Sequence, residues 1–214
     1  MSQQEQLKAS SEISEKRTRA GKKTYTRIVE CAYNILLNES LERCTMQGIA
    51  KRLDIRLSNV QYYFSNRDKL IRAVLEHSNQ VYHKQWDKLY KETEKCPKWR
   101  FRAFIELNLN DVRSAQTRHF FIQLWGLLST ADNYSGKLLK EMYEPYVVKF
   151  IDLLLDLVPN IPAQEARIRS EIIVSMLEGL MVTTIASSDS AEHPKKRNDA
   201  VIAAAFDIAT QPFE

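Results

Sequence analysis

The chain has 214 residues, of which 44% are hydrophobic and only 5 are Gly and 6 Pro, so its composition favours an all-α protein with a substantial core over a β-rich fold. It has no uncharged apolar stretch of the roughly 20 residues that a bilayer span needs and no apolar signal segment, and its three cysteines fit free thiols in a reducing compartment, so we expect a cytoplasmic protein that does not enter a membrane. The net charge of +4 is uneven, because residues 16–72 hold 13 Lys and Arg against 5 Asp and Glu, and such a basic segment predicts binding to a polyanion.

The first predicted segment, residues 1–23, is polar and poor in aliphatic side chains, which is typical of a flexible arm. It ends in the basic run KRTRAGKK at residues 16–23. Such a run either follows DNA, including into a minor groove, or is only a solubilising tail. The residues leave both interpretations open.

A helical pattern starts at Tyr25. Apolar residues recur at Ile28, Ala32, Ile35 and Leu36, which is the spacing of one buried helix face.

The pattern of residues 45–64 predicts a helix-turn-helix. Thr45 is a good N-cap for a short helix over residues 46–53. A turn follows around Asp54, and a second short helix ends around Phe64. Two short helices joined by a tight turn have the dimensions of a motif that places its second helix in a major groove.

The second helix of this motif has two different faces. Val60 and Phe64, four residues apart, are expected to face the core. On the other side, Asn and Gln amides can pair with the edge of adenine, leucine can touch a thymine methyl group, and tyrosine hydroxyls can bind phosphate. That side carries Leu57, Ser58, Asn59, Gln61, Tyr62 and Tyr63.

The stretch RIVECAYNILLNESLERCTMQGIAKRLDIRLSNVQYYFSNRDKL resembles the TetR family of bacterial transcriptional regulators. The resemblance covers about 50 residues strongly and the rest in length and helix pattern only. It departs from the family at Asp54 and Ser58, where glycine is common, and in its QYYF variant, so base preference cannot be carried over. The resemblance implies DNA contacts from Thr45, Arg56, Leu57, Ser58, Asn59, Gln61, Tyr62, Tyr63 and Lys69.

Six further helices are predicted, which makes about nine in an all-α protein. The fourth is capped by Ser65 or Asn66 and reaches residue 95. The others cover residues 99–114, 118–131, 137–158, 163–187 and 200–210. We expect a DNA-binding domain at residues 24–72 and a regulatory and dimerisation domain at residues 73–214.

Two functions are expected of the C-terminal domain. Apolar stripes on its last two helices predict a homodimer interface formed by Ile168, Ile172, Gly179, Leu180, Val201, Ala204, Ala205 and Ile208. Its many aromatic and methionine side chains either fill the core or line a pocket, and the resemblance implies an effector cavity. The expected ligand-binding residues are Phe104, His119, Phe120, Trp125, Tyr143, Tyr146 and Met176.

Together these features predict a dimeric, ligand-responsive transcriptional repressor that binds a palindromic double-stranded operator and is released by an apolar or aromatic small molecule. The alternative is a DNA-binding regulator that a protein partner controls. A helical enzyme or carrier is a further alternative, but the sequence has no nucleophile–base pair, cofactor loop or metal-ligand spacing, so we expect no catalysis, cofactor or metal.

Overall fold

The computed structural model describes residues 3–93, 96–129, 135–183 and 194–212, and within these ranges the chain is all-α. It divides into two compact units, Met1–Ser78 and Asn79–Glu214. The elements described are α1 (Gln3–Asn38), a short 3-10 helix (Leu41–Arg43), α2 (Met46–Leu53), α3 (Leu57–Tyr63), α4 (Arg67–Glu92), α5 (Pro97–Arg113), α6 (Ala115–Ser129), α7 (Ser135–Leu157), α8 (Ala163–Thr183) and α9 (Pro194–Thr210). Each described helix is too short or too polar to span a lipid bilayer.

Helix α1 differs from the prediction, because it begins at Gln3 and includes most of the expected flexible arm. Residues 3–23 contain no proline and are rich in Gln, Glu, Lys, Arg and Ala. These residues have high helix propensity, so a polar composition does not prevent a helix that continues into a buried amphipathic part.

The core of the N-terminal unit confirms the predicted face of α1. Ile28, Ala32, Ile35 and Leu36 are at most 1% exposed. Burying such side chains stabilises a fold by about 1.5–3 kcal/mol each for the larger ones. This core holds α1 in place and fixes the position of the short helices that follow.

The C-terminal unit has an aromatic core. Phe104 and Phe150 meet edge to face with ring centroids 5.0 Å apart, and Phe101 contacts Phe150 and Phe206 in the same manner. Edge-to-face pairs add about 0.5–1.5 kcal/mol beyond area burial. They join α5 to α7 and α9 around one centre.

Several helix ends differ from the prediction by a few residues. Proline occupies the first turn of α5 and of α9, so these helices begin at Pro97 and Pro194, before the predicted positions. A missing N–H is harmless there, because the first turn has no partner for it. The predicted ends at residues 95, 131 and 187 lie outside the described residues.

Candidate nucleic-acid interface and effector site

Local hydrogen bonds define the start of the helix-turn-helix. The hydroxyl of Thr45 accepts a hydrogen bond from the Gly48 amide at 3.0 Å, which caps α2 as the sequence predicts. A Cβ at Gly48 would lie 3.0 Å from both the Arg43 carbonyl and the Thr45 hydroxyl, so glycine allows the close approach. The Thr45 side chain remains exposed beside its cap.

The turn between the two helices depends on Asp54. This residue has φ 52° and ψ 50°, the left-handed conformation, and is the one non-glycine residue with positive φ in the described chain. Aspartate tolerates this conformation better than most residues, so the turn forms without glycine. The turn brings the chain to Arg56, the N-cap of α3.

Helix α3 has the two faces that the sequence predicts. Val60 is 0% and Phe64 is 2% exposed, so both pack inward. Ile49 and Ala50 of α2 are also buried and complete the small core. The inward residues therefore fix which side of α3 faces solvent.

The opposite side of α3 carries most of the predicted DNA-contacting residues. Tyr62 is 83% exposed, although a large aromatic side chain gains free energy by burial. The exposed residues of the predicted set are Thr45, Arg56, Leu57, Ser58, Asn59, Gln61, Tyr62 and Lys69. Amide, hydroxyl, aromatic and apolar groups of α3 are exposed, as are the cationic side chains of Arg56 and Lys69, and this mixture suits both phosphate and base-edge contacts.

Tyr63 is the half-buried member of that set. Its ring contacts Tyr25 and Tyr62 at centroid distances of 6.2 and 5.1 Å. A Cβ added to Gly21 of α1 would lie 3.5 Å from the Tyr63 hydroxyl. Tyr63 therefore packs the end of α3 against α1.

Basic side chains of the N-terminal unit fall into two groups. The guanidinium of Arg52 donates to both carboxylate oxygens of Glu39, and that of Arg67 donates to the Leu41 carbonyl at 3.2 Å. Lys69 has an exposed side chain, and its backbone amide donates to the Asn66 side chain at 2.9 Å. Asn66 thus caps α4, and Lys69 in its first turn presents an ammonium group to solvent.

The cysteines of this unit have unreactive surroundings. Cys44 is fully buried, and burial raises the pKa of its thiol to about 11. Burial also raises the pKa of Cys31. Reactive thiols need a lowered pKa, so the environment of these two residues favours the protonated thiol.

The predicted ligand-binding residues do not share one environment. Phe104, Phe120 and Tyr146 belong to the buried core, and Met176 packs against that core. His119 is exposed. Trp125 and Tyr143 are half-buried, and the Trp125 indole Nε1–H donates to the Tyr143 hydroxyl at 2.7 Å. Of the predicted set, the hydrogen-bonded pair Trp125 and Tyr143 is therefore the strongest candidate for ligand binding.

Two acids outside the predicted set belong to the same region, one beside Tyr143 and the other beside Tyr82. The Tyr143 hydroxyl donates to Glu178 of α8 at 3.0 Å, and Tyr82 of α4 bonds to Asp111 of α5. Burial raises the pKa of Glu178 to about 7 and that of Asp111 to about 6. The available signal was a single carboxylate inside the apolar run of α8, MLEGLM.

The predicted dimer residues divide between the surface and the core. Ile168 and Ile172 of α8 are 43% and 41% exposed. Val201 and Ala205 of α9 are buried within the subunit. They are therefore not exposed for a dimer contact, in contrast to the expectation from the sequence. An apolar stripe gives the direction of burial but not the molecule that covers it.

The remaining members of that set lie partly in solvent. Leu180, Ala204 and Ile208 are half-buried, and Gly179 is exposed. A Cβ added to Gly179 would meet no atom within 4 Å. Helix α8 thus retains an uncovered apolar face that also includes Val182, which is 53% exposed.

Comparison with known proteins identifies the fold. No protein-family model and no curated protein matches the chain. A regulator from Saccharomonospora viridis in complex with choline is similar in structure, with a TM-score of 0.66, 14% identity and coverage of 85% of this chain and 96% of that one. A TetR-family member from Streptomyces coelicolor A3 has a TM-score of 0.62, 13% identity and coverage of 85% and 96%.

A third similar structure is the secondary repressor of a multidrug efflux pump in Pseudomonas aeruginosa, with a TM-score of 0.56, 17% identity and coverage of 88% of this chain and 96% of that one. At such identities a structural likeness shows the fold. The chain therefore has the all-α fold of the TetR-family transcriptional regulators.

Proposed function

We propose that the protein is a cytoplasmic TetR-family regulator and acts as a dimeric, ligand-responsive transcriptional repressor rather than as an enzyme. One observation carries this proposal. Val60 and Phe64 anchor α3 inward, and the opposite side presents amide, hydroxyl and aromatic side chains to solvent, while the cationic side chains of Arg56 and Lys69 are exposed as well. DNA binding is assigned to the unit Met1–Ser78, and regulation and dimerisation to the unit Asn79–Glu214.

The proposed docking follows from the chemistry of α3. Gln61 and Asn59 read base edges, and Tyr62 and Lys69 contact phosphates of the backbone. In a dimer, two such helices would lie about 34–36 Å apart, in successive major grooves of a palindrome. The basic surplus of residues 16–72 supports the attraction to DNA.

The uncovered face of α8 supports the dimer. Ile168, Ile172 and Val182 are exposed apolar side chains on this helix. A stable interface buries about 1,200–2,000 Å² in total. Ala204 and Ile208 of α9 are half-buried, so each also leaves some apolar surface exposed.

A small molecule is proposed as the signal. The choline complex of the Saccharomonospora viridis regulator supports this type of control, because a protein of the same fold holds a small molecule. To change operator occupancy from nearly full to nearly empty, the effector must favour the released conformation by roughly 10⁴-fold, or about 5.5 kcal/mol.

Selection of bound duplexes from random DNA tests the proposal. We expect the purified full chain to enrich one roughly palindromic sequence, and fluorescence anisotropy to give specific binding at least about 10³-fold tighter than non-specific binding. A thermal-shift screen of metabolites then tests the effector. Failure to enrich any sequence would contradict DNA recognition, whereas enrichment with no metabolite that releases the operator would favour control by a protein partner.

A further inference from the structure

Aromatic side chains from three helices of the C-terminal unit form a continuous series. The ring of Tyr82 in α4 lies 6.2 Å from that of Phe121 in α6, and Phe121 lies 6.4 Å from Trp125. Trp125 donates its indole N–H to the Tyr143 hydroxyl of α7. The faces of electron-rich rings attract cations, and tryptophan is the strongest of them.

A carboxylate lies at each end of this series. The Tyr143 hydroxyl donates to Glu178, and the Tyr82 hydroxyl bonds to Asp111. The two acids lie close enough for the charge of Asp111 to raise the pKa of Glu178. Both also raise the pKa of the buried Tyr146 hydroxyl, as do Tyr82 and Tyr143. Tyr82, Asp111, Tyr143 and Glu178 therefore all lie near the Tyr146 hydroxyl.

Other carboxylates of the unit are arranged differently. Asp156 is paired with the buried guanidinium of Arg100, and Glu165 with that of Arg169. Burial raises the pKa of Glu178 and of Asp111, the hydrogen bonds from Tyr143 and Tyr82 lower it, and the charge of Asp111 raises that of Glu178 further. No lysine or arginine from the described ranges lowers the pKa of either acid. Removing carboxylates from water without a compensating positive charge is costly.

We propose that this aromatic and acidic cluster is the effector site and that it binds an organic cation of the alkylammonium class. The cluster consists of Tyr82, Asp111, Phe121, Trp125, Tyr143 and Glu178. An alkylated ammonium supplies the missing positive charge, and its alkyl groups contact the aromatic faces. This inference rests on the proposed function and narrows its apolar or aromatic effector to one that carries a positive charge.

The chemistry of the cluster discriminates between ligand classes. An anion would be repelled by both carboxylates. A neutral apolar ligand would fill space but leave the two acids without a counter-charge. An alkylammonium of low hydration satisfies both the acids and the rings, because its charge is spread over apolar groups.

Matched pairs of ligands test the proposal with the full-length protein. The cations are choline and meta-hydroxyphenyltrimethylammonium, and the neutral counterparts of the same shape are neohexyl alcohol and meta-tert-butylphenol. We expect calorimetry to show that at least one cation binds about tenfold or more tightly than its neutral counterpart. Equal affinity within both pairs, or no binding of either cation, would overturn the proposal.

Variants locate the binding to the cluster. Glu178→Gln should weaken the binding of the cation by about tenfold or more, whereas Glu171→Gln, an exposed acid on the same helix, should leave it unchanged. Asp111→Asn serves as the second variant if Glu178→Gln does not fold. Full affinity in the folded variants would contradict the assignment.

The pH dependence gives an independent readout. The trimethylammonium ligands keep their charge, so a change of affinity reports the protein groups. Since Glu178 has a pKa of about 7 and Asp111 of about 6, the cation should bind about tenfold more tightly at about pH 8 than at about pH 6. Loss of this dependence in Glu178→Gln supports the site, and its persistence in that variant contradicts it.

Failure of this inference is separable from failure of the proposed function. Cation binding is measured without DNA, and operator binding without cation. If the protein binds the cations but no specific DNA sequence, the proposed function is wrong and the ligand assignment stands. If the protein binds its operator but neither cation, the ligand assignment is wrong and the proposed function stands.

Discussion

Glu39 near the end of α1 accepts two hydrogen bonds from the Arg52 guanidinium of α2, at 2.5 and 2.7 Å. The pair connects the long first helix directly to the helix-turn-helix, across 13 residues of sequence. The hydrogen bond from Arg52, with support from Arg43, lowers the pKa of Glu39. A bidentate pair of this kind restricts orientation as well as separation.

Glu39→Gln should therefore lower the thermal stability of the protein and weaken operator binding, although Glu39 is not a proposed DNA contact. A glutamate with a lowered pKa contributes stability above its ordinary pKa of 4.5, and this contribution disappears as the pH falls through the lowered value. Circular dichroism melts at neutral and acidic pH check the expectation. Glu30→Gln, an exposed acid of α1, is the control and should match the original protein.

Substitution of Asp54 tests the left-handed turn. Asp54→Ala should lower the free energy of unfolding by about 1 kcal/mol, because alanine tolerates positive φ less well, whereas Asp54→Gly should raise it or leave it unchanged. Urea unfolding measures both. A fully stable alanine variant would mean that the turn does not require this backbone conformation.

Gln61 and Lys69 should differ in their effect on DNA binding. Gln61→Ala is expected to relax base preference at one position per half-site, at about 1–3 kcal/mol. Lys69→Ala should weaken binding to all DNA sequences alike. It should also reduce the slope of log affinity against log salt concentration by about 0.9 for each lost phosphate contact. Anisotropy titrations at several salt concentrations separate the two. An unchanged salt slope for Lys69→Ala would remove its phosphate role.

Ile172→Arg should convert the proposed dimer to monomers that bind the operator weakly. Ile172 is 41% exposed on α8, so a charge there would be buried only when a second subunit covers it. Sedimentation velocity gives the oligomeric state. Ile122→Arg on α6, where the residue is 39% exposed, is the matched control and should remain dimeric. A dimeric Ile172→Arg protein would place the interface elsewhere.

Tyr146→Phe should lower stability without changing the shape of the core. The Tyr146 hydroxyl donates to the side-chain oxygen of Asn108 at 2.7 Å, and the Asn108 amide donates to the Phe104 carbonyl. Removing the hydroxyl leaves the side-chain oxygen of the half-buried Asn108 without its donor, and losing a typical hydrogen bond costs about 0.5–1.5 kcal/mol. Chemical denaturation tests this, with Tyr62→Phe on the exposed face of α3 as the control. Equal stability would mean that water replaces the lost donor.

Local patterns predicted the motif well. The cap at Thr45, the turn at Asp54 and the inward pair Val60 and Phe64 each depend on neighbours within four residues of sequence. For the same reason the order and approximate ends of most helices could be predicted. The helical start of α1 is harder to predict, because a polar composition is also typical of flexible segments.

Contacts between distant segments were harder to predict. The cluster around Glu178 brings together residues from five helices, and no single helix pattern contains that information. The apolar stripe of α9 was visible, but Ala205 faces its own subunit. Sequence periodicity reports which side of a helix is covered, while the covering partner depends on the tertiary fold.

Gly48 and Gly179 differ in the space that the subunit leaves for a side chain, so conservation of each glycine would have a different cause. Folding of the subunit restricts side-chain size at Gly48, where a Cβ would press on the Arg43 carbonyl, but not at Gly179, where an added Cβ meets no atom within 4 Å. Among homologues, a glycine retained at position 48 would record selection for folding. A glycine retained at position 179 would instead record selection imposed by a neighbouring molecule.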